Sequence, residues 1–207
     1  MRYLALLILP LLIVSCSNSN KTNAISKFYE DGRTRPIVAI APVVDSTSYD
    51  VPWSLSDELT SLIRTNLSKN KSIFIADGDD VANTLTSLDN PFNPDISWMD
   101  DRFDQNEFIV FLELVKHTNS KVNKATNLDM IMRVKVVDVR GKKPKVILQE
   151  NINDKYFIAK GNFKYDYNTT KWGSKEFQES RMGMAHMQLA KDIASRVSEY
   201  VSLSKSR

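Results

Sequence analysis

The feature that most constrains the fold is an uncharged, β-rich run of eight residues, Ile37–Val44. A strand with one face in water carries polar residues at alternate positions, whereas a strand without polar positions is covered on both faces. The run therefore predicts a strand in the centre of a sheet, with other elements packed on both sides of it.

The residues after this run predict a helix and then a second strand. Ser54 and Asp57 are typical of a helix start, because the Ser54 side chain can cap free backbone donors. Apolar residues then recur every three or four positions and form one helical face: Leu55, Leu59, Leu62, Ile63 and Leu67. Ser72–Ala76 is a short apolar strand. The order strand, helix, strand predicts a right-handed parallel crossover.

A shorter helix is predicted from Asp77 to Leu88, with Asp77, Asp79 and Asp80 near its amino end. Acidic residues interact favourably with the helix dipole at that end. A calcium loop is the alternative interpretation, but such a loop needs a distal bidentate glutamate at a fixed spacing, which is missing here. Helix capping is therefore favoured. The residues from Asp89 to Asn106 are predicted to form a long loop.

The second half of the chain changes to consecutive strands. Phe108–Val115 is strongly apolar. In Leu128–Val136, apolar residues alternate with polar ones, which indicates a strand with one face in water: Asp129, Arg133 and Lys135. A turn at Arg140–Pro144 precedes a returning strand that starts at Val146–Leu148, and a further pairing segment is predicted at Lys155–Ala159.

A long helix, Lys175–Leu203, closes the chain. Its apolar stripe is expected to pack on the sheet: Ala185, Leu189, Ile193, Val197 and Val201. Together these patterns predict an α/β (α+β) fold with a mixed β-sheet and helices packed on it. The predicted order is β-α-β-(α)-β-β-β-α, in a single domain over residues 36–207.

The amino terminus is typical of a signal peptide. Arg2 precedes the apolar run Tyr3–Val14, which is too short to span a bilayer and is interrupted by Pro10. The run ends in Ile13, Val14 and Ser15, followed by Cys16, and this pattern resembles the lipobox of bacterial lipoproteins. The resemblance implies recognition by signal peptidase II, removal of residues 1–15, and acylation of Cys16.

Lipidation requires a thiol, because the sulfur receives a diacylglyceryl group and the amine freed by cleavage can take a further chain such as palmitate. Each buried methylene contributes roughly 0.8 kcal/mol, so two or three chains hold a protein firmly on a membrane. The alternative is an ordinary signal peptide followed by a buried core cysteine. Ser17 lacks the acidic character associated with retention in the inner membrane, so we expect an outer-membrane anchor that faces the periplasm.

The residues from 16 to 35 are rich in Ser, Asn, Lys and Thr and predict a flexible tether. Cys16 is the only cysteine, which excludes an intramolecular disulfide. Without residues 1–15 the chain has 27 basic and 25 acidic residues, a formal charge of +2 with both signs interspersed. This balance gives no indication of nucleic-acid binding, and a weak attraction to anionic lipid or cell-wall polymer is compatible with it.

The order of elements, together with Ile37–Val44 and Val136–Lys142, resembles a group of envelope proteins with one small α/β fold. The group includes the curli-secretion lipoprotein, the lipoprotein activators of penicillin-binding proteins, and the amino-terminal domain of the Tol-Pal translocation protein. The resemblance implies a binding or scaffolding module without catalytic residues. The stretch from Asn151 to Trp172 departs from the curli-type channel, because it offers no equivalent of membrane-crossing hairpins.

The titratable residues give no pattern of an enzyme. His117 and His186 are the only histidines, and neither has a carboxylate at a suggestive spacing. We therefore expect them to be exposed, or satisfied by hydrogen bonds, at a strand end and in a helix. Zinc-ligand clusters, phosphate-binding glycine loops and serine elbows are missing from the sequence, so we predict no catalytic residue, no metal and no cofactor.

Two aromatic stretches are candidate contact surfaces for a partner. Aromatic side chains that alternate with charges can anchor a protein or a glycan, because flat rings bury much area at a small entropic cost. The residues concerned are Trp98, Phe103, Tyr165, Tyr167 and Trp172. The alternative, which we favour, is that these rings cover the edge of the domain's own core.

The function predicted from these patterns is that of a membrane-anchored periplasmic lipoprotein. It would act as a noncatalytic, protein-binding accessory factor in cell-envelope assembly or maintenance, with an unidentified envelope protein as partner. A subunit of an outer-membrane secretion or transport assembly is the alternative, and an envelope hydrolase is a more distant one. The sequence leaves the oligomeric state open.

Overall fold

Strands and helices alternate in the first half of the chain, whereas strands follow one another in the second. The computed structural model describes residues 26–85, 92, 105–122, 125–159 and 171–206. The elements of the first half are β1 (Ile37–Ile40), β2 (Val44–Asp45), α1 (Leu55–Ser68), β3 (Phe74–Ile75) and α2 (Gly78–Leu85). Those of the second half are β4 (Phe108–Val122), β5 (Ala125–Asp138), β6 (Lys145–Ala159), α3 (Lys175–Glu179) and α4 (Arg181–Lys205).

The six strands form one mixed sheet in the order β3-β1-β4-β5-β6, with β2 beside the distal part of β4. Strand β1 is parallel to both of its neighbours, β3 and β4, as the predicted crossover requires. The long strands β4, β5 and β6 are antiparallel to one another. These pairings confirm the predicted fold class, a single α+β domain with helices packed on a mixed sheet.

The first strand is interrupted where the sequence places Pro42. Strand β1 ends at Ile40, the Ala41 backbone N–H still donates to the Val110 carbonyl at 2.9 Å, and pairing with β4 resumes in β2 with the register shifted by one residue. The backbone N–H of Val43 is turned away from the sheet and donates to Thr60 Oγ1 at 2.8 Å. The predicted single strand from residue 37 to residue 44 is therefore two short strands with a kink between them.

The sheet has a larger core on one face than on the other. Helices α1 and α4 cover the first face, where Leu59 and Ile63 of α1 and Leu189 and Ile193 of α4 pack on the central strands. On the opposite face, α2 and Phe92 cover only the end of the sheet near Ala39. Helix α1 begins as predicted, since Ser54 Oγ accepts a hydrogen bond from the Asp57 backbone N–H at 3.1 Å.

The alternating pattern of β5 correctly predicts one face in water, with Lys135 as an exception. Arg133 lies on that face and pairs with Glu113 at 2.8 Å. Lys135 is buried, and its Nζ lies 5.0 Å from the ring centroid of Phe92 and 5.2 Å from that of Phe111. Burial lowers the pKa of Lys135 because it disfavours the charged ammonium.

The antiparallel strands are longer than the sequence patterns predict. Strand β4 extends beyond Val115 to Val122, and β6 is continuous from Lys145 to Ala159 rather than two separate segments. Polar residues in these stretches obscure the apolar pattern, and all of those described are at least partly exposed except His117, which is buried. Helix α2 is described from Gly78 to Leu85, and the last predicted residues of that helix lie outside the described part of the chain.

The predicted final helix is two helices that meet at Ser180. Ser180 has an extended ψ of 154°, and its Oγ accepts from the Gly183 backbone N–H at 3.0 Å as the cap of α4. A Cβ on Gly183 would lie 2.0 Å from the Phe177 carbonyl oxygen. Glycine thus permits the close approach of α3 to α4, and the break directs Phe177 into the core.

The folded region starts earlier than the predicted tether allows. Residues 26–35 form a turn in which Phe28 pairs with Thr34 and Gly32 has a φ of 82°. Tyr29 attaches this turn to the domain, because its hydroxyl donates to the Ser72 carbonyl at 2.6 Å. The part of the predicted tether from Ser26 to Arg35 is therefore structured.

Candidate functional site

A β-bulge in β4 determines which face of the sheet His117 occupies. Leu114 pairs with Met132, but the next pair joins Lys116 to Ile131, so Val115 is an extra residue. Because side chains alternate along a strand, one extra residue moves every later side chain to the other face. His117 consequently lies beside Met130 on the face covered by α1 and α4.

His117 meets a histidine and a glutamate from these two helices. His117 Nε2 lies 3.0 Å from His186 Nε2 in α4. His186 Nδ1 lies 2.7 Å from Oε1 of Glu58 in α1. The exposed fraction is 1% for His117 and 0% for the other two residues. We call Glu58, His117 and His186 the buried histidine cluster.

Aromatic residues enclose this cluster. Trp53 Nε1 donates to Glu58 Oε2 at 2.8 Å, so both carboxylate oxygens have a partner. The Tyr49 ring lies 4.5 Å from the His117 ring, and the Phe177 ring lies 5.8 Å from the His186 ring in an edge-on arrangement. The cluster therefore connects β4, α1 and α4, and aromatic side chains pack around it.

The hydrogen bonds define how many protons the cluster holds. With both Glu58 oxygens acting as acceptors, His186 donates through Nδ1. One proton then lies between the two Nε2 atoms, and a second would place two donors against each other. Burial lowers the pKa of His117 to about 3, and the nearby His186 shifts this pKa in the same direction. His117 is therefore neutral near pH 7.

This arrangement can hold and exchange a proton, but no substrate could reach it. All three members are at most 1% exposed. The hydrogen bonds among them occupy both ring nitrogens of His186 and Nε2 of His117. Within the described ranges, no group of three or more His, Cys, Asp or Glu side chains could hold a metal ion. The geometry makes the cluster a structural junction between the helices and the sheet.

Of the two predicted states, exposed or satisfied by hydrogen bonds, the structure shows the second for both histidines, with Glu58 as a partner that no sequence spacing indicates. Glu58 and His186 are separated by 128 residues, so no local spacing indicates their contact. One signal was available. Glu58 lies between Leu55 and Leu59 on the apolar face of α1, and a charged residue at such a position needs a buried partner.

The structure describes only one of the predicted site residues, and the role of that residue as a partner contact stays a prediction. Ile13, Val14, Ser15 and Cys16 lie outside the described residues, as do the following aromatic residues: Trp98, Phe103, Tyr165 and Tyr167. Trp172 is described and is 36% exposed. It precedes Gly173, which has a φ of 84°, and Ser174, which caps α3. Trp172 is therefore partly accessible to solvent.

Comparison with known protein families identifies the chain's relatives. A model of the "Family of unknown function (DUF7499)" matches residues 24–205. The chain belongs to this family. The match begins two residues before the first residue that the structure describes, so the turn at residues 26–35 is part of the family's domain. No curated protein matches the chain.

Solved structures that are similar to this chain come from several bacteria. The hypothetical protein CT253 from Chlamydia trachomatis is 27% identical, with a TM-score of 0.70 over 81% of this chain and 98% of that one. Protein XCC0632 from Xanthomonas campestris is 8% identical, with a TM-score of 0.50 over 84% and 90% of the two chains. Lipoprotein GNA1162 from Neisseria meningitidis is 12% identical, with a TM-score of 0.46 over 77% and 99%.

Among the residues that the structure describes, no helix combines the length and the apolar character needed to cross a membrane. The longest, α4, is 25 residues long and buries one face against the sheet, while its other face is mostly polar but includes exposed Met184, Met187 and Leu203.

Proposed function

We propose that the chain is a lipid-anchored protein of the bacterial cell envelope that binds another envelope protein and catalyses no reaction. The single observation that carries the proposal is Cys16, the only cysteine, placed directly after Ile13, Val14 and Ser15 at the end of an apolar run. Acyl chains on this thiol would hold the domain at the bilayer. The outer membrane, with the domain on its periplasmic side, is the proposed location.

The noncatalytic part of the proposal is supported by the buried histidine cluster. Glu58 and His186 have the separation of a carboxylate that orients a histidine in hydrolases. In such an enzyme the far nitrogen of the histidine faces a nucleophile and the substrate. Here it faces His117, and all three groups are buried. The Glu58–His186 pair, which among the described residues is most similar to a catalytic pair, therefore faces the protein interior.

The test of lipid anchoring is metabolic labelling of the native chain with a radioactive fatty acid. The expected result is a labelled protein in the membrane fraction, and loss of both label and membrane association in Cys16→Ala. The matched control is Ser17→Ala, which leaves the thiol in place and is expected to keep the label. An unlabelled native chain, or an alanine variant that fractionates like the native chain, would refute the anchoring.

A subunit of a secretion or transport assembly is the second candidate, and it is favoured by strand β6. This strand is 15 residues long, and in the described part of the sheet it pairs with β5 alone. A long sheet edge can accept a strand from another chain. Native mass measurement of the detergent-extracted protein separates the candidates. A ring-shaped oligomer favours the assembly subunit, and a monomer favours the accessory factor.

A further inference from the structure

One end of the domain gathers several loops that are distant in sequence. The strand register places Ile37 beside Phe74, Phe108 beside Asp138, and Asp138 beside Lys145. The turn at residues 26–35, the loop between α1 and β3, and the turn between β5 and β6 therefore lie at the same end. The carboxyl end of α4 joins them, because Arg140 Nη2 donates to the Ser204 carbonyl at 2.9 Å.

The two loops nearest the amino terminus are basic. The turn at residues 26–35 contributes Lys27, Arg33 and Arg35, and the loop after α1 contributes Lys69 and Lys71. The Tyr29–Ser72 hydrogen bond holds these two loops together. All five cationic residues are exposed except Arg35, which is half-buried.

The other two segments add further positive charge. The turn between β5 and β6 contributes Arg140, Lys142, Lys143 and Lys145, all exposed, and α4 contributes Lys205 near its end. Lys205 pairs with Glu107 and Arg140 pairs with Asp138. We call this whole surface, residues 26–35, 69–72, 107, 138–145 and 203–206, the basic end.

The basic end carries more positive charge than the whole chain. It holds ten Lys and Arg residues against four acidic ones, Glu30, Asp31, Glu107 and Asp138, a formal charge of +6. The full chain has +3, so all remaining residues together sum to −3. The sequence alone indicated that the two signs of charge are evenly interspersed. In the folded domain, positive charge is instead concentrated at one end.

Two exposed apolar side chains accompany these charges. Phe28, in the amino-terminal turn, is 52% exposed, and Leu203, in the last turn of α4, is 53% exposed. Basic side chains around exposed aromatic and aliphatic residues are typical of protein surfaces that lie in the headgroup region of a bilayer. Binding of a soluble polyanion would involve the basic side chains and would not require exposed Phe28 and Leu203.

The basic end is also where the chain leaves the domain toward the proposed anchor. Ser26, the first described residue, is ten residues after Cys16. A fully extended segment of that length spans about 35 Å, and a flexible one spans about 18 Å on average. The tether therefore keeps the basic end within reach of the headgroups of the membrane that holds Cys16.

We propose that the basic end is a docking surface for a bilayer containing anionic lipids, on which the anchored domain lies with Phe28 and Leu203 toward the membrane. The inference rests on the proposed lipid anchor at Cys16 for its biological setting. Anionic headgroups attract each nearby Lys or Arg, and the apolar pair adds contact with the acyl boundary. The opposite end of the domain would then be the part presented to a partner.

The test uses the chain from Ser17 to Arg207, which lacks Cys16, so its outcome does not depend on lipidation. This chain keeps every buried apolar residue of the described structure, since these start at Val38. It also keeps the five aspartates between residues 89 and 104, so the measured binding includes the effect of their negative charge. Cosedimentation with phosphatidylcholine vesicles, with and without phosphatidylglycerol, measures the partition coefficient.

The expected result is binding to the anionic vesicles alone, weakened by salt. Reversal of two charges, in Lys142→Glu/Lys143→Glu, is expected to lower the partition coefficient by about tenfold or more. The matched control, Lys155→Glu/Lys171→Glu, reverses two exposed lysines away from the basic end and is expected to change it much less. Circular dichroism verifies that both variants remain folded.

Three results would overturn the proposal. These are equal binding to neutral and anionic vesicles, equal weakening by the two double variants, and sedimentation with isolated peptidoglycan but not with anionic vesicles. The last result would assign the basic end to cell-wall polymer. None of them affects fatty-acid labelling at Cys16, so failure of the docking surface and failure of the anchor are distinguishable.

Discussion

Glu58 needs hydrogen-bond partners for both carboxylate oxygens, because its carboxylate is fully buried on the apolar face of α1. His186 and Trp53 satisfy its two oxygens. Breaking a buried pair by removal of one partner leaves the other polar group unsatisfied, which costs more than the pair contributes. Removal of Glu58 or His186 alone is therefore expected to destabilise the domain more than the pair itself stabilises it.

Glu58→Ala is expected to lower the free energy of unfolding by about 3 kcal/mol or more. Urea denaturation measures this change, and Asp57→Ala, an exposed neighbour in the same helical turn, is the control with an expected effect below about 0.5 kcal/mol. In a double-mutant cycle, Glu58→Ala and His186→Ala are expected to cost clearly less together than the sum of the two single changes. Additive costs would contradict the direct contact.

The stability of the domain is expected to fall as the pH drops from 6.5 toward 3. The pKa of His117 is about 3 in the folded state, below its ordinary value of 6.5. Within this window the unfolded chain binds a proton at His117 and the folded chain does not. Stability contributed by the neutral ring is present above pH 6.5 and is lost at about 1.4 kcal/mol per pH unit below it.

Urea denaturation at a series of pH values measures this dependence. The groups that face His117 are His186 from α4 and Tyr49 from the segment before α1, with Glu58 behind His186. His117→Gln keeps a polar group but cannot titrate, so it is expected to remove this part of the slope. An unchanged slope in the glutamine variant would show that another group is responsible.

At the scale of elements, the junction of α3 and α4 depends on Gly183. A glycine inside a helix usually costs about 1 kcal/mol relative to alanine. At this position alanine is expected to be the less stable residue, because its Cβ would lie 2.0 Å from the Phe177 carbonyl oxygen. Gly183→Ala is therefore expected to destabilise the domain by about 2 kcal/mol.

Thermal denaturation of Gly183→Ala and of Ser195→Ala tests this expectation. Ser195 is exposed on the same helix, so its replacement by a better helix former is expected to be neutral or slightly stabilising. If Gly183→Ala raised the melting temperature as Ser195→Ala does, the close approach of the two helices would be refuted.

Elements were predictable from the sequence where a local pattern determines them. The leucine spacing of α1, the uncharged β1 and the alternation in β5 each act within one element, and each was confirmed. The break at Ser180 was missed because the apolar stripe continues across it, and only packing against Phe177 reveals why glycine is needed.

The buried histidine cluster was not predictable for a different reason. A bulge at Val115 decides which face His117 occupies, and a bulge has no reliable sequence pattern. Contact between Glu58 and His186 depends on how α1 and α4 pack against each other, which no spacing within either helix specifies. The lipidation signal is the opposite case, because it is a short linear pattern.

At the scale of the whole molecule, the basic end differs in charge from the rest of the chain, and the two ends of the domain differ in proposed role. The basic end carries +6, and the remaining residues sum to −3. Trp172 lies near the amino end of α3 and α4, whereas the basic end includes the carboxyl end of α4. A domain that rests on the membrane by its basic end would therefore present Trp172 to a partner.

Trp172→Ala is expected to leave the melting temperature nearly unchanged, because the indole is 36% exposed, and to abolish capture of a partner by crosslinking in intact cells. Trp53→Phe is the matched comparison, since that indole donates to buried Glu58 and its loss is expected to lower the melting temperature. A large loss of stability in Trp172→Ala with capture intact would show that this ring serves the core instead.

The most direct test of the central claim is the mass of the amino-terminal peptide of the protein purified from membranes of its native cell. The account predicts a peptide that begins at Cys16 and carries a diacylglyceryl group on the sulfur. A peptide that begins at Met1, or one that contains Cys16 as an unmodified thiol, would contradict it.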